Sequence, residues 1–160
     1  MNSPARQSSE PNNTLHKEIM ATNRMAMNST DDAGKLVLRL ALALLLLFHG
    51  MSKVTGGVGA ISQMLASAGL PAFLAYLVYV GEIVAPLLIL FGVATRAAAL
   101  VVVINMVMAI ALVHTGDLFK ISKMGGWALE LQGFYLMSAI AIALLGAGRF
   151  SLAGKAGRFN

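Results

Sequence analysis

Four runs of apolar residues dominate the chain, at 36–51, 71–93, 97–113 and 127–147, each built almost wholly from Leu, Ile, Val, Ala, Met and Phe. At about 1.5 Å per residue in a helix, each approaches the ~30 Å thickness of a bilayer's hydrocarbon layer. The apolar residues are continuous rather than alternating, which excludes lipid-facing barrel strands. The first run is the shortest. Arg39 and Lys53 near its opposite ends extend its usable length by bending their charged heads toward water. The pattern predicts an all-α fold: a polytopic membrane protein forming an antiparallel bundle of four transmembrane helices.

The connections add detail. Gly92, Val93, Ala94 and Thr95 predict a tight turn that makes helices two and three antiparallel neighbours. After Lys53 comes a glycine-rich stretch, then Ile61, Met64, Leu65 and Ala68 at helical spacing, stopped by Gly69 and Pro71. This predicts a short interfacial helix in the first outer loop. Pro86 predicts a kink in the second helix around Glu82. Small residues at Gly81 and Ala85, and at Ala139, Ala143 and Ala147, predict close helix packing. In the second outer loop, Leu118, Phe119, Ile121 and Met124 can dip into the headgroup layer, with Trp127 and Tyr76 as interfacial anchors. Residues 1–35 are polar and rich in Asn, Ser and Thr, which predicts a disordered tail ahead of a membrane domain at 36–150 and a short tail at 151–160. The first apolar run has no small-residue cleavage site behind it, which argues against a removed signal peptide. Met20, Met25 and Met27 leave starts later than Met1 open.

Composition agrees, with 58% hydrophobic and 12% charged residues leaving too little polar surface for a water-soluble globule. The net charge of +5 does not point to nucleic acid, because the basic residues sit at the ends of the apolar runs and form no stripe. Arg6, Lys17, Arg24, Lys35, Arg96, Arg149, Lys155 and Arg158 fall on one side, and only Lys53, Lys120 and Lys123 on the other. By the positive-inside rule both termini are cytoplasmic, in a multi-pass protein of a bacterial inner membrane. The chain has no cysteine, so it can hold neither a disulfide nor a thiol nucleophile.

The polar residues inside this apolar frame carry the chemistry. Glu82 lies near the middle of the second run, about 16 Å below the outer edge by helical rise, and burying a carboxyl there costs several kcal/mol. Asn105 falls near the same level on helix three. His49 and Lys53 lie one turn apart late in helix one, His114 closes helix three, and Glu130 enters helix four with Gln132 close behind. His49, Lys53, Glu82, Asn105, His114 and Glu130 are therefore the candidate ligand-binding or proton-handling residues, gathered in the outer half. The plainer readings are Glu82 as a protonated structural carboxyl hydrogen-bonded to Asn105 or a backbone carbonyl, His49, Lys53 and His114 as markers of the water interface, and Glu130 as a helix N-terminal stabiliser; Arg39, outside the set, is read as a snorkelling anchor, with an inner ion pair as the rival. No HxxxH or ExxH spacing suggests a metal site. His49 and His114 lie too near helix ends to favour axial ligation of haem.

Arg39, the stretch Phe48, His49, Gly50, Met51, Ser52, Lys53, the pair Gly81 and Glu82, the turn from Leu90 to Arg96 and the close from Gly146 to Leu152 together resemble the DoxX family pattern over roughly 36–154. The resemblance implies a small four-helix inner-membrane protein. Some members of that family are membrane subunits of quinone-linked sulfur oxidation or of oxidative-stress complexes with soluble enzymes, and no established catalytic residues come with it. Three functions stay open. The chain is a subunit of a redox-linked membrane complex that binds a quinone or other small ligand in its outer half; or a non-catalytic scaffold; or a small proton-coupled transporter. No covalent cofactor is expected. The bilayer and a membrane or periplasmic protein, or a second copy of the chain, are the expected partners, and nucleic acid is not.

Overall fold

In a computed structural model, which describes residues 10–154 and 159–160, the described residues are mostly helical, with no strand among them beyond an isolated bridge between Ile121 and Trp127. Five helices follow in order: α1 (Glu10–Gly56), α2 (Gly59–Ser67), α3 (Ala72–Phe91), α4 (Thr95–Val113) and α5 (Glu130–Leu145). Three of them, α1, α3 and α4, are long and apolar enough to cross a membrane, while α5 is apolar but has 16 residues. The most apolar 18-residue stretches of α1, α3 and α4 bury only 28, 33 and 22% of their residues. Helices this apolar that turn most of their residues outward need an apolar solvent, which a bilayer supplies.

The residues turned inward form one core. Leu42, Ala43 and Leu46 of α1 meet Ala85 and Ile89 of α3, Ala98, Ala99 and Val102 of α4, and Tyr135, Ala139 and Ile142 of α5. Small side chains recur at these crossings, so the helix backbones approach closely. A second, smaller cluster joins α2 to the start of α3 through Val58, Leu65 and Ala75. The expected short helix after the glycine-rich stretch is α2.

Three expectations are corrected. Residues 10–35, read as part of a disordered tail, belong to α1. Between Asn12 and Ala33 there is neither Gly nor Pro to stop a helix, and extending an existing helix needs no new nucleus. Asp32 also docks the extension, its buried carboxylate accepting a bond from the Arg149 backbone N–H at 3.1 Å. The fourth apolar run becomes helical only at Glu130, because residues 118–128 fold as a turn in which Ser122 N–H bonds Gly126 O. Arg39 is not a snorkelling anchor: it is 1% exposed.

Arg39 closes one end of the structure. Its Nε donates to Ile89 O at 2.9 Å and its Nη2 to Leu90 O at 3.1 Å, while Nη1 donates to Ala147 O at 2.7 Å and Phe150 O at 2.9 Å. The last carbonyls of a helix have no partner within it and carry the negative end of its dipole. One planar guanidinium with five donors thus ties α1 to the end of α3 and to the segment that follows α5. Around it, Leu152 N–H bonds Phe91 O, and Asn160 Oδ1 accepts from both Thr95 N–H at 3.2 Å and Thr95 Oγ1 at 2.8 Å. Gly92 takes φ +70° at the end of α3, where a Cβ would run into Ser151 and Arg39.

Candidate ligand cavity

Helix α3 is irregular where it matters. Ala72–Tyr76 is a tight 3₁₀ turn, Leu77–Tyr79 is α-helical, Val80–Val84 is a π turn, and Ala85–Phe91 is α-helical again. In the π turn the Ala85 N–H reaches back five residues to Val80 O. Pro86 accounts for its position: it has no N–H to give to Glu82 O, so the regular ladder cannot pass through this point. One extra residue in the turn rotates what precedes it by about 100°. The predicted disturbance around Glu82 is thus a π turn, and Gly81 and Glu82 lie in it with Glu82 turned inward at 6% exposure.

Two glycines let neighbours close on this turn. A Cβ at Gly50 of α1 would lie 2.6 Å from Glu82 O and 2.6 Å from Ile83 Cγ1. A Cβ at Gly81 would overlap the Asn105 side chain of α4. Only glycine permits both contacts, and they hold the Glu82 turn against α1 and Asn105 against α3.

Beside the turn lies a cavity of about 620 Å³, within the range of small-molecule sites. His49 and Lys53 of α1, Glu82 of α3, Asn105 and the adjoining His114 of α4, and Gln132 and Tyr135 of α5 all line it. Its remaining wall is apolar, including Leu74 and Val78 of α3, Leu112 of α4 and Ile61, Met64 and Leu65 of α2. Five of the six candidates read from the sequence therefore meet in one space. Glu130 does not: its Oε1 accepts from the Trp127 N–H at 3.0 Å, and it stabilises the start of α5.

The groups differ in how they are held. Glu82 Oε2 and Asn105 Nδ2 are buried and make no hydrogen bond of good geometry, although the Asn105 side chain is the hydrogen-bonding group that bears on the Glu82 carboxyl. Lys53 and His49 are the basic side chains that bear on the Glu82 carboxyl. His49 sets its ring edge-on to Tyr135, with centroids 5.7 Å apart and planes at 81°. Tyr79 donates to Lys53 O at 3.1 Å, pinning the end of α1 to α3.

His114 is fixed on both ring nitrogens, Nδ1 lying 3.3 Å from Asp117 Oδ2 and Nε2 lying 3.3 Å from Gln132 Nε2. A proton on Nδ1 satisfies both contacts, with Nδ1–H donating to Asp117 and Nε2 accepting from the Gln132 amide. Asp117 lies in the loop. Hydrogen bonds from Lys120, at 2.9 Å, and from His114 hold its carboxyl below the usual carboxylate range. Among the described residues no cluster of His, Cys, Asp and Glu is arranged to hold a metal ion.

Tyr135 and Asp117 were not among the candidates. Tyr135 could have been found by helical spacing, since it stands three residues after Gln132 on the same face. No sequence signal pairs Asp117 with His114, because the 3₁₀ turn at Thr115–Asp117 that brings them together follows no marked pattern.

Apolar helices packed around a cavity with a deeply buried carboxyl define a small multi-pass helical membrane protein. The family model described as DoxX matches residues 34–115, and the chain belongs to the DoxX family. It is similar to "Putative oxidoreductase CatD" of Bacillus subtilis (strain 168), at 33% identity over 76% of this chain and 85% of that protein. It is also similar to "Inner membrane protein YqjF" of Escherichia coli (strain K12), at 31% identity over 79% of this chain and 94% of that protein. No solved structure matches it.

Proposed function

We propose that the protein is an antiparallel four-helix subunit of a redox-linked complex in the inner membrane, with both termini cytoplasmic, and that it binds a quinone headgroup or a similar small ligand. In this reading α5 is the fourth span, completed by the apolar residues on either side of it, and the cavity lies in the periplasmic half. The observation that carries it is the buried pair at Glu82 Oε2 and Asn105 Nδ2 on the wall of a largely apolar cavity.

A quinone ring matches that wall. Its carbonyl oxygens accept hydrogen bonds, which Asn105 Nδ2 and a protonated Glu82 can donate, and its ring is apolar like the remaining surface. Reduction or oxidation of a quinone moves protons as well as electrons. Glu82, His49 and Lys53 supply titratable groups on one side of the cavity, and His114 with Asp117 connects it to the loop. In this reading the electrons come from a partner subunit, the chain itself offering no thiol to relay them. The similarity to CatD, named as a candidate oxidoreductase, and to an inner-membrane protein supports the reading.

The test is to purify the protein from its native membrane, extract it with organic solvent and look for a quinone by mass spectrometry, alongside Glu82→Gln and Asn105→Leu. A stoichiometric quinone in the parent, lost in both variants, is the expected result. A well-folded parent that carries no quinone and binds none when it is added would overturn the proposal and leave a scaffold.

A further inference from the structure

The cavity has a side opening, and its position identifies the phase from which a ligand arrives. Leu77 and Val80 on α3, and Ile104 and Met108 on α4, line the cavity and are at the same time exposed on the outside of the molecule. Leu77 is 58% and Ile104 63% exposed, so these side chains form a rim rather than an inner wall. Both pairs lie inside their helices, on the order of 8–14 Å from the nearer ends, at a depth occupied by acyl chains.

The helices part here for a local reason. Ala85–Phe91 packs along α4, but above the π turn the first part of α3 packs instead on α2 and on the end of α1. Helix α2 covers the loop end of the resulting gap, with Ile61 and Leu65 facing Leu74, Val78 and Leu112. The gap below α2 opens on the outside of the molecule, bordered by the apolar Leu77, Val80, Ile104 and Met108.

We infer that the cavity is loaded laterally from the bilayer core through the seam between α3 and α4, so that its ligand is a membrane-partitioned molecule whose polar head reaches Glu82 and Asn105 while its apolar tail lies in the seam. This rests on the ligand-binding reading above. It adds a substrate class, since a tailed lipophile can use such a seam and a water-soluble ion or metabolite cannot.

The cysteine-free chain allows a direct test in the full-length protein in lipid nanodiscs. A spin label is placed inside the cavity at Ala109→Cys, and its collisions with oxygen, which concentrates in lipid, are compared with those with a water-soluble nickel chelate. Lys123→Cys in the loop serves as the water-exposed control. The label at Ala109→Cys is expected to collide several-fold more with oxygen than with nickel, and adding Ile104→Trp in the rim is expected to cut the oxygen collisions several-fold. The same Ile104→Trp change, without the label, is expected to slow association of a decyl-tailed benzoquinone at least tenfold and to leave a tail-less benzoquinone unaffected.

Nickel collisions equal to or above oxygen would show a water-filled cavity and overturn the lateral route while leaving ligand binding intact. Low collision with both reagents would show the seam covered, by a second copy or by closure, and would also overturn it. Oxygen-dominated access without binding of either benzoquinone would overturn the quinone reading itself and with it the lateral loading of such a ligand.

Discussion

At the scale of single residues, a buried cation without a carboxylate partner would be costly if it were not surrounded by acceptors, and Arg39 has four of them on two other segments. Arg39→Met keeps roughly the volume but leaves Leu90 O, Ala147 O and Phe150 O without this donor, Ile89 O keeping only its bond from Gly92 N–H, and is expected to destabilise the protein by about 3–5 kcal/mol, read as the unfolding midpoint in detergent. Arg39→Lys should restore only part of this, since one ammonium cannot face both segments in the plane of a fork. A midpoint within error of the parent in Arg39→Met would remove the latch. Asp117 makes a different prediction, in pH. Its carboxyl is held low by Lys120 and His114, so its contribution to stability is present above the ordinary carboxylate pKa. That contribution fades as the pH falls through the ordinary range toward the lowered value, because the unfolded chain takes up the proton first. Melting curves of the parent and Asp117→Asn should therefore differ at neutral pH and converge under acid; a gap that widens on acidification would contradict the sign.

At the scale of elements, the irregular α3 is the feature on which the cavity depends. Pro86 withholds one N–H, the π turn at Val80–Val84 absorbs the mismatch, and the first half of the helix leaves α4. Pro86→Ala returns the missing donor and allows the turn to relax toward regular α-helix. A proline inside a helix costs about 3 kcal/mol relative to alanine, and here, just past the π turn, relief of roughly 1 kcal/mol is expected. The same relaxation would rotate Glu82 away from Asn105, so Pro86→Ala should melt higher yet bind a decyl-tailed benzoquinone at least tenfold more weakly. Both properties unchanged would mean that the proline is incidental. The cause of this irregularity is visible in the sequence, since Pro86 stands four residues after Glu82 in an apolar run. Its form is not, because whether a helix kinks or takes a π turn depends on what lies against it, here Gly50 of α1 and Asn105 of α4.

At the scale of the whole molecule the two ends differ. One is tied by Arg39, by Asp32 with Arg149 and by the 147–154 segment on α3, while the other holds the cavity, the glycine-flanked α2 and the loop at 114–129. Apolar periodicity located α2, α3 and α4, and depth counting put His49, Lys53, His114, Glu130 and, more deeply, Glu82 and Asn105 in one half of the bundle, because helical rise converts sequence position into height. Rotation about each helix axis is what counting leaves out, and Tyr135 entering the cavity while Glu130 stays outside is decided by rotation. Arg39 was misread for a related reason: a basic residue near the end of an apolar run looks the same whether its head meets water or a ring of carbonyls. The asymmetry matters for function only through its direction in the membrane. In the proposed orientation the tied end, with Arg96, Arg149 and the Lys17, Arg24 and Lys35 of α1, faces the cytoplasm, and the opposite loop, with Lys120 and Lys123, faces the periplasm. In intact cells of a cysteine-free background, Lys123→Cys should then react with a membrane-impermeant maleimide and Asn28→Cys should react only after the membrane is opened. The reverse pattern would turn the cavity toward the cytoplasm, where a soluble electron donor would have to approach His114 and Lys53 from the cytosolic side.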